Sequence, residues 1–285
     1  MNYYLVALLV IVALVTTGCQ PTRVLNAVTP SGTYTLERDV AYGDNPRQRF
    51  DIYHPTDKQH SAVVVFVYGG AWEEGNKEDF EFIGQAFTRL GYTTLIPDYR
   101  VFPEVEFPDF IDDVAVAMTT FSSHQNRTVE FILVGHSAGA HSAAMLATDR
   151  RYLGELQEQI IALIGLSGPY DLPLEHERVG EKFTRVDGNE ANPIELASAA
   201  HPPTLLLHGQ ADTVAKPAHS ERYAERLQKL DVAVETHFYP RIRHVDMVAS
   251  LASPLRFWSS AYTDIEAYLA RLENQRQRAR EQSEQ

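Results

Sequence analysis

Cysteine is nearly absent: Cys19 is the one thiol in 285 residues. A lone cysteine cannot close an internal disulfide, so the fold cannot depend on one, and a cysteine-based metal site is excluded with it. Basic residues are also in deficit. The 25 Lys and Arg face 38 Asp and Glu, leaving a formal net charge of −13. No run of Lys and Arg supplies the basic patch that nucleic-acid binding requires. Proline (15) and glycine (16) stay near ordinary usage, which excludes collagen-like and low-complexity chains. The N-terminal apolar run, Tyr3–Val15, is shorter than the roughly 20 residues of a membrane-spanning helix. What is present is a 44 % hydrophobic composition, enough for a substantial core. A chain of this length fits one α/β domain, since such folds often run to about 250 residues.

The short apolar run matches the core of a signal peptide, and Thr16-Thr17-Gly18-Cys19 follows it. Small residues before a cysteine resemble the bacterial lipobox, in which that cysteine is lipidated and becomes the mature N-terminus. Thr16 stands where Leu is usual, and Met1–Tyr4 carries no Lys or Arg. The resemblance implies a signal peptide over 1–18, a lipid anchor at Cys19 and a place in the cell envelope. Gln20 after the cysteine resembles outer-membrane sorting in Gram-negative lipoproteins. The alternative is an ordinary signal peptide or an uncleaved anchor.

Residues 19–33 read as a linker, with Pro21, Pro30, Ser31 and Gly32 and little periodicity. Beyond it, over 34–274, strands alternate with helices. Ala62–Tyr68 is a continuous β-branched apolar run, the pattern of a strand buried on both faces. Tyr92–Pro97, Glu130–Val134, Ile160–Leu166, Thr204–His208 and Val232–Tyr239 are further strands, with Thr33–Val40 and Arg49–Tyr53 before them. Helices are expected over Glu78–Leu90, Asp109–Phe121, Ala138–Thr148 and about Pro217–Leu230. A last helix is expected from Pro254, capped by Ser253, with Trp258, Tyr262, Ile265, Leu269 and Leu272 on one stripe. The polar tail 275–285 is expected to fray. The alternation implies a mostly parallel, eight-stranded sheet with helices on both faces. Between Gly168 and Pro203 the pattern lapses, which leaves room for a lid loop or short helices but no large cap domain.

Gly135-His136-Ser137-Ala138-Gly139 lies between a strand and a helix. That setting turns a common G-x-S-x-G string into a candidate nucleophile elbow, because a tight turn excludes side chains at 135 and 139 and lifts the Ser137 hydroxyl clear. A serine hydroxyl needs a base, and the base needs a carboxylate to fix its tautomer. In this arrangement the chain order is Ser, then acid, then His. His244 follows the last strand, whereas His219 falls in a helix and His237 within the strand. Asp212 follows the preceding strand through Gly209. Asp171 is its rival, and Asp246 is too near His244 in sequence to orient it. Gly69-Gly70-Ala71-Trp72 follows the strand Ala62–Tyr68. The N–H groups of Gly70, Ala71 and Ala138 are the expected oxyanion donors, each worth roughly 2.7–4 kcal/mol in a transition state. Trp72 is read as packing at the loop base.

With these residues in place, the chain resembles α/β-hydrolase carboxylesterases, near the hormone-sensitive-lipase-like and feruloyl-esterase-like groups, over roughly 50–272. Phe50-Asp51-Ile52-Tyr53-His54-Pro55, Tyr68-Gly69-Gly70-Ala71-Trp72 with Gly75 and Lys77, and Pro97-Asp98-Tyr99-Arg100 carry the likeness. So does Ser167-Gly168-Pro169-Tyr170-Asp171-Leu172. The resemblance implies hydrolysis of small or medium acyl esters without metal or organic cofactor, and a structural pairing of Asp98 with Arg100. Tyr68 replaces the usual His of the loop and Ala71 the third Gly. Alternatives are an arylformamidase-like amide hydrolase and a lipid-anchored binding protein on a hydrolase scaffold.

Overall fold

The computed structural model describes residues 21–57, 59–174, 177–186 and 188–283. The expected signal segment and Cys19 lie outside them. Eight strands form one sheet: β1 (Tyr34–Ala41), β2 (Arg49–Pro55), β3 (Val63–Val67), β4 (Thr93–Pro97), β5 (Phe131–His136), β6 (Ile160–Leu166), β7 (Thr204–Gly209) and β8 (Val234–Tyr239). Their order across the sheet is β1-β2-β4-β3-β5-β6-β7-β8. Only β2 runs against its neighbours, and β3 to β8 are mutually parallel. Every residue of β3, β5, β6 and β7 is buried. Burial on both faces is why these strands read as unbroken apolar runs rather than as alternation.

The main helices are α1 (Pro21–Ala27), α2 (Glu81–Arg89), α3 (Asp109–Ser123), α4 (Ala138–Thr148), α5 (Ala218–Lys229), α6 (His244–Ala249) and α7 (Ala261–Ser283). Alternation along β2 shows that they cover two faces, since residues three apart point to opposite sides. Phe50 meets Phe121 of α3 at 6.4 Å between ring centroids. Tyr53 lies so close under Gly84 of α2 that a Cβ there would stand 2.5 Å from its ring. Helix α7 joins α2, with the Tyr262 hydroxyl donating to the Ala86 carbonyl at 3.4 Å, while α4 packs beside α3. The chain leaving β3 therefore turns to one face and the chain leaving β5 to the other. Such a divergence opens a crevice at the carboxyl ends of adjacent strands, where α/β folds place their sites.

Three expectations need correction. Residues 21–27 of the expected linker form α1, because Leu25 finds core to bury against. The Asn26 amide also donates to the Glu78 carbonyl at 2.6 Å. The last helix starts at Ala261, not Pro254. Ser253–Leu255 is a single 3-10 turn, and Trp258 is 41 % exposed, off the buried stripe of Tyr262, Ile265, Leu269 and Leu272. Ser260 organises the true start, donating from its hydroxyl to Asp264 at 2.7 Å. The helix also continues past Gln275 to Ser283, because Arg276 and Arg280 both reach Glu130 at the foot of β5.

Between β6 and β7 the described residues of the insert hold single turns of helix, at Glu177–Gly180, Gly188–Ala191 and Pro193–Leu196. Among the described residues no helix is long and apolar enough to cross a membrane.

Candidate active site

The turn between β5 and α4 holds Ser137 at φ 55°, a left-handed conformation that a non-glycine residue adopts only under constraint. The constraint comes from both flanks. A Cβ on Gly135 would stand 2.3 Å from the Gly139 carbonyl oxygen, and one on Gly139 would stand 2.1 Å from that of Val67. Real side chains do not fit there, which is the steric content of the two glycines. The Ser137 N–H donates to the Leu166 carbonyl at 3.0 Å, and the N–H groups of Ala140 and His141 return to the Ser137 carbonyl. The half-buried hydroxyl is left facing His244.

Ser137 Oγ and His244 Nε2 are 2.7 Å apart. His244 Nδ1 lies 2.7 Å from Asp212 Oδ2. The three residues stand at the carboxyl ends of β5, β8 and β7, so sequence order and spatial contact agree. Asp212 is 4 % exposed. Its Oδ1 accepts the N–H groups of Val214 at 2.9 Å and Ala215 at 3.0 Å. Burial alone would raise its pKa. Hydrogen bonds from His208 and His244 outweigh that and hold the carboxyl well below the usual carboxylate range. The rivals lie elsewhere. Asp171 pairs with Arg222 at 3.0 Å, and Asp246 pairs with Arg243 at the start of α6. His219 sits on α5, and His237 bonds Glu235 at 2.7 Å.

Two histidines without a sequence assignment complete the relay's surroundings. The Nε2–H of His136 donates to the His244 carbonyl at 3.0 Å. Burial, reinforced by His244, pushes the His136 pKa down to about 3, so this ring stays neutral. His208 donates from Nε2 to the Ala215 carbonyl at 2.8 Å and accepts from the Ser220 hydroxyl at Nδ1, 2.7 Å away. It thereby ties down the loop that carries Asp212, whose Oδ2 is 3.4 Å from the same Nε2. His136 occupies a variable place of the G-x-S-x-G string, which carries no signal of its own. His208 is the penultimate residue of β7, four before Asp212, and that position was the available clue.

The loop after β3 folds against the nucleophile. A Cβ on Gly69 would stand 2.8 Å from Ser137 Cβ. Gly70, Ala71 and Trp72 have φ of 132°, 51° and 59°, and the N–H groups of Glu73 and Glu74 fold back on the Gly70 carbonyl. Ala138 opens α4, where an N–H has no partner inside the helix.

Tyr68 accounts for the loop's departure from the usual histidine. Its ring stacks between Phe80 and Tyr99, at 5.4 and 4.7 Å. Its hydroxyl donates to Asp98 Oδ1 at 2.7 Å and accepts from Arg47 at 3.1 Å. Asp98 also accepts the Lys77 N–H at 2.7 Å. The expected pairing of Asp98 with Arg100 does not form. Tyr68 and Lys77 occupy Asp98, while Arg100 reaches Asp113 of α3, its Nη2 2.7 Å from Oδ1 and its Nε 2.9 Å from Oδ2. That fork-to-fork match suits a guanidinium better. Trp72 is 4 % exposed and packs as expected.

The chain is similar to known proteins over most of its length. A family model described as BD-FAE matches residues 50–227. Isoprenylcysteine alpha-carbonyl methylesterase ICME of Arabidopsis thaliana is 29 % identical over 255 residues, covering 78 % of this chain and 58 % of that protein. Esterase LipC of Mycobacterium tuberculosis is 30 % identical over 227 residues, covering 68 % of this chain and 56 % of that protein. The chain thus spans less than two thirds of the length of these relatives. Among solved structures, an inhibited esterase B of Lactobacillus rhamnosis superposes with a TM-score of 0.76 at 17 % identity, covering 97 % of this chain and 99 % of that one. At that identity the likeness is one of fold, and the fold is that of α/β-hydrolases.

Proposed function

The chain belongs to the BD-FAE family, and from that premise we propose that it hydrolyses carboxylic esters of small or medium acyl groups through an acyl-enzyme on Ser137. The unbroken relay from Ser137 through His244 to Asp212, 2.7 Å at each step, is the observation that carries the reading. His244 takes the Ser137 proton as the oxygen attacks the ester carbonyl. The oxyanion is held by the N–H groups of Gly70, Ala71 and Ala138. His244 then gives the proton to the leaving alcohol and activates water, which releases the acid and restores Ser137. Asp212 fixes the His244 tautomer and offsets the charge of the imidazolium. The methylesterase and esterase relatives act on esters by their names, which favours the same bond here.

Turnover of p-nitrophenyl acetate by wild type and Ser137→Ala tests the reading, and equal rates would overturn it. A panel that adds N-formylkynurenine separates esters from formamides, and a preference for the latter would move the assignment to amide hydrolysis. The lipobox-like segment supports a second, independent proposal, that Cys19 is lipidated and holds the enzyme in a bacterial cell envelope. Metabolic labelling with a palmitate analogue checks it. Label that persists in Cys19→Ser would sink it.

A further inference from the structure

The order of the strands divides the site into two halves. His244 stands on the β8 side of Ser137 and the Gly70 loop on the β3 side. His244 has to protonate the leaving oxygen, so the alcohol half of an ester lies toward β8. The acyl half then projects past Gly70 and Ala71, toward the loops after β3 and β4. Trp72, the residue after Ala71, belongs to a cluster of aromatic rings. His141 follows Ser137 by four residues, which puts it on the same face of α4 about 6 Å further along. Its ring meets Trp72 edge-on at 5.2 Å. Phe107 and Phe110 close the cluster from the segment after β4.

Among the described residues, Phe183 is the ring that the insert between β6 and β7 adds to this cluster. It is 2 % exposed. It meets Trp72 at 5.1 Å, Phe107 at 5.2 Å, His141 at 5.8 Å and Phe110 at 5.9 Å. The residue before it fixes the insert to the oxyanion loop: Lys182, itself fully buried, has Nζ 3.0 Å from the Glu73 carboxylate. The Lys182 carbonyl accepts the Phe107 N–H at 2.8 Å. Adjacent residues thus anchor the insert and pack a ring against Trp72, the residue that follows Gly70 and Ala71.

We infer that Phe183 closes the acyl side of the site and limits the substrate to short acyl groups, with acetyl favoured over longer chains. The inference rests on the ester-hydrolase reading above and deepens it. A phenyl ring occupies about the room that the extra four carbons of a hexanoyl group need. Removing the ring should therefore admit the longer chain, and a methylene gained or lost in such a pocket changes kcat/KM by roughly 10- to 200-fold.

The experiment compares kcat/KM for p-nitrophenyl acetate, butyrate and hexanoate in wild type, Phe183→Ala and Phe183→Leu. Wild type should favour acetate. The hexanoate-to-acetate ratio should rise about tenfold or more in Phe183→Ala and by less in Phe183→Leu. A ring that only supports the core would lower all three rates in proportion, and an unmoved ratio overturns the proposal. So does a wild type that takes hexanoate as well as acetate. If circular dichroism shows Phe183→Ala unfolded, Phe183→Leu carries the same test. Reaction of wild type with a fluorophosphonate probe keeps the two readings apart. A labelled enzyme with an unmoved ratio fails on Phe183 alone, whereas an unlabelled enzyme that turns over no ester overturns both.

Discussion

The imidazole of His136 donates a hydrogen bond to the backbone carbonyl of His244, 3.0 Å away, so the residue before Ser137 holds the residue that contacts the Ser137 hydroxyl. The rings lie 4.9 Å apart at 41°. His136→Phe keeps a flat ring but leaves that carbonyl without its donor, at a cost of about 1–3 kcal/mol. In steady-state kinetics with p-nitrophenyl acetate, kcat should fall about tenfold with KM little changed. A raised KM with kcat intact would show that His136 acts on binding instead.

Gly135→Ala should remove activity by distortion rather than by chemistry. The new Cβ would meet backbone on two sides, Gly139 O at 2.3 Å and Ala140 Cα at 2.5 Å, so the turn must open. Overpacking of this kind costs about 1–3 kcal/mol, or a Tm lower by roughly 2–12 °C for a domain of this size. Gly32→Ala is the control, since nothing lies within 4 Å of its added Cβ. Thermal melts and ester turnover should leave Gly32→Ala at wild-type values and lower both in Gly135→Ala.

Stability should depend on pH through Asp98. Burial pushes its carboxyl up to about 6, against the hydrogen bonds from Tyr68 and the Lys77 N–H. An unfolded Asp titrates near ~3.9. Between these values the folded chain binds more protons than the unfolded one, so this group's contribution to stability falls as pH rises from about 4 to about 6. The loss is on the order of 3 kcal/mol. Asp98→Asn keeps an acceptor for both donors and cannot ionise. Urea unfolding at pH 4.5, 5.5 and 7 should show the variant gaining on wild type as pH rises. A constant difference would show that Asp98 is already ionised at pH 4.5.

Lys77 should prove essential to the fold while touching no reacting atom. It is 1 % exposed and its Nζ reaches Asp39 at 2.7 Å, Asp51 at 3.1 Å and Glu78 at 2.5 Å. Asp51 is fully buried, and its carboxyl is raised by that burial despite the bonds from the Asp39 N–H and Lys77. Lys77→Met would leave that carboxyl to the Asp39 N–H at 2.9 Å and to Arg38 at 3.7 Å, at a cost of up to about 3–5 kcal/mol. Chemical denaturation measures the loss. Adding Asp51→Asn should recover part of it, and no recovery would mean that the packing of the Lys77 stem matters more than its charge.

Sequence reasoning reached the sheet, because strands buried on both faces write themselves as apolar runs such as Ala62–Tyr68. It picked out Ser137, Asp212 and His244, whose side chains lie in contact, because strand-end chemistry in a fixed order leaves few candidates. It could not reach contacts between distant side chains. Arg100 meets Asp113 and not Asp98 because of where α3 lies, and no local pattern encodes that. The start of α7 was misplaced for a related reason. Pro254 is a good helix opener, but Phe257 and Trp258 stay exposed and Ser260 provides the better start. The proposed lipid anchor at Cys19 is read from the local motif.

Helix α7 ends on Glu130, the residue just before β5, through Arg276 and Arg280. The last stretch of the domain is therefore a latch on the strand that carries its chemistry. Shortening the chain before Arg276 would release the foot of β5 at the end opposite the active site. A spectroscopic label at exposed Thr128, two residues before Glu130, should then report on the opening of β5 before any change at Ser137 itself is visible.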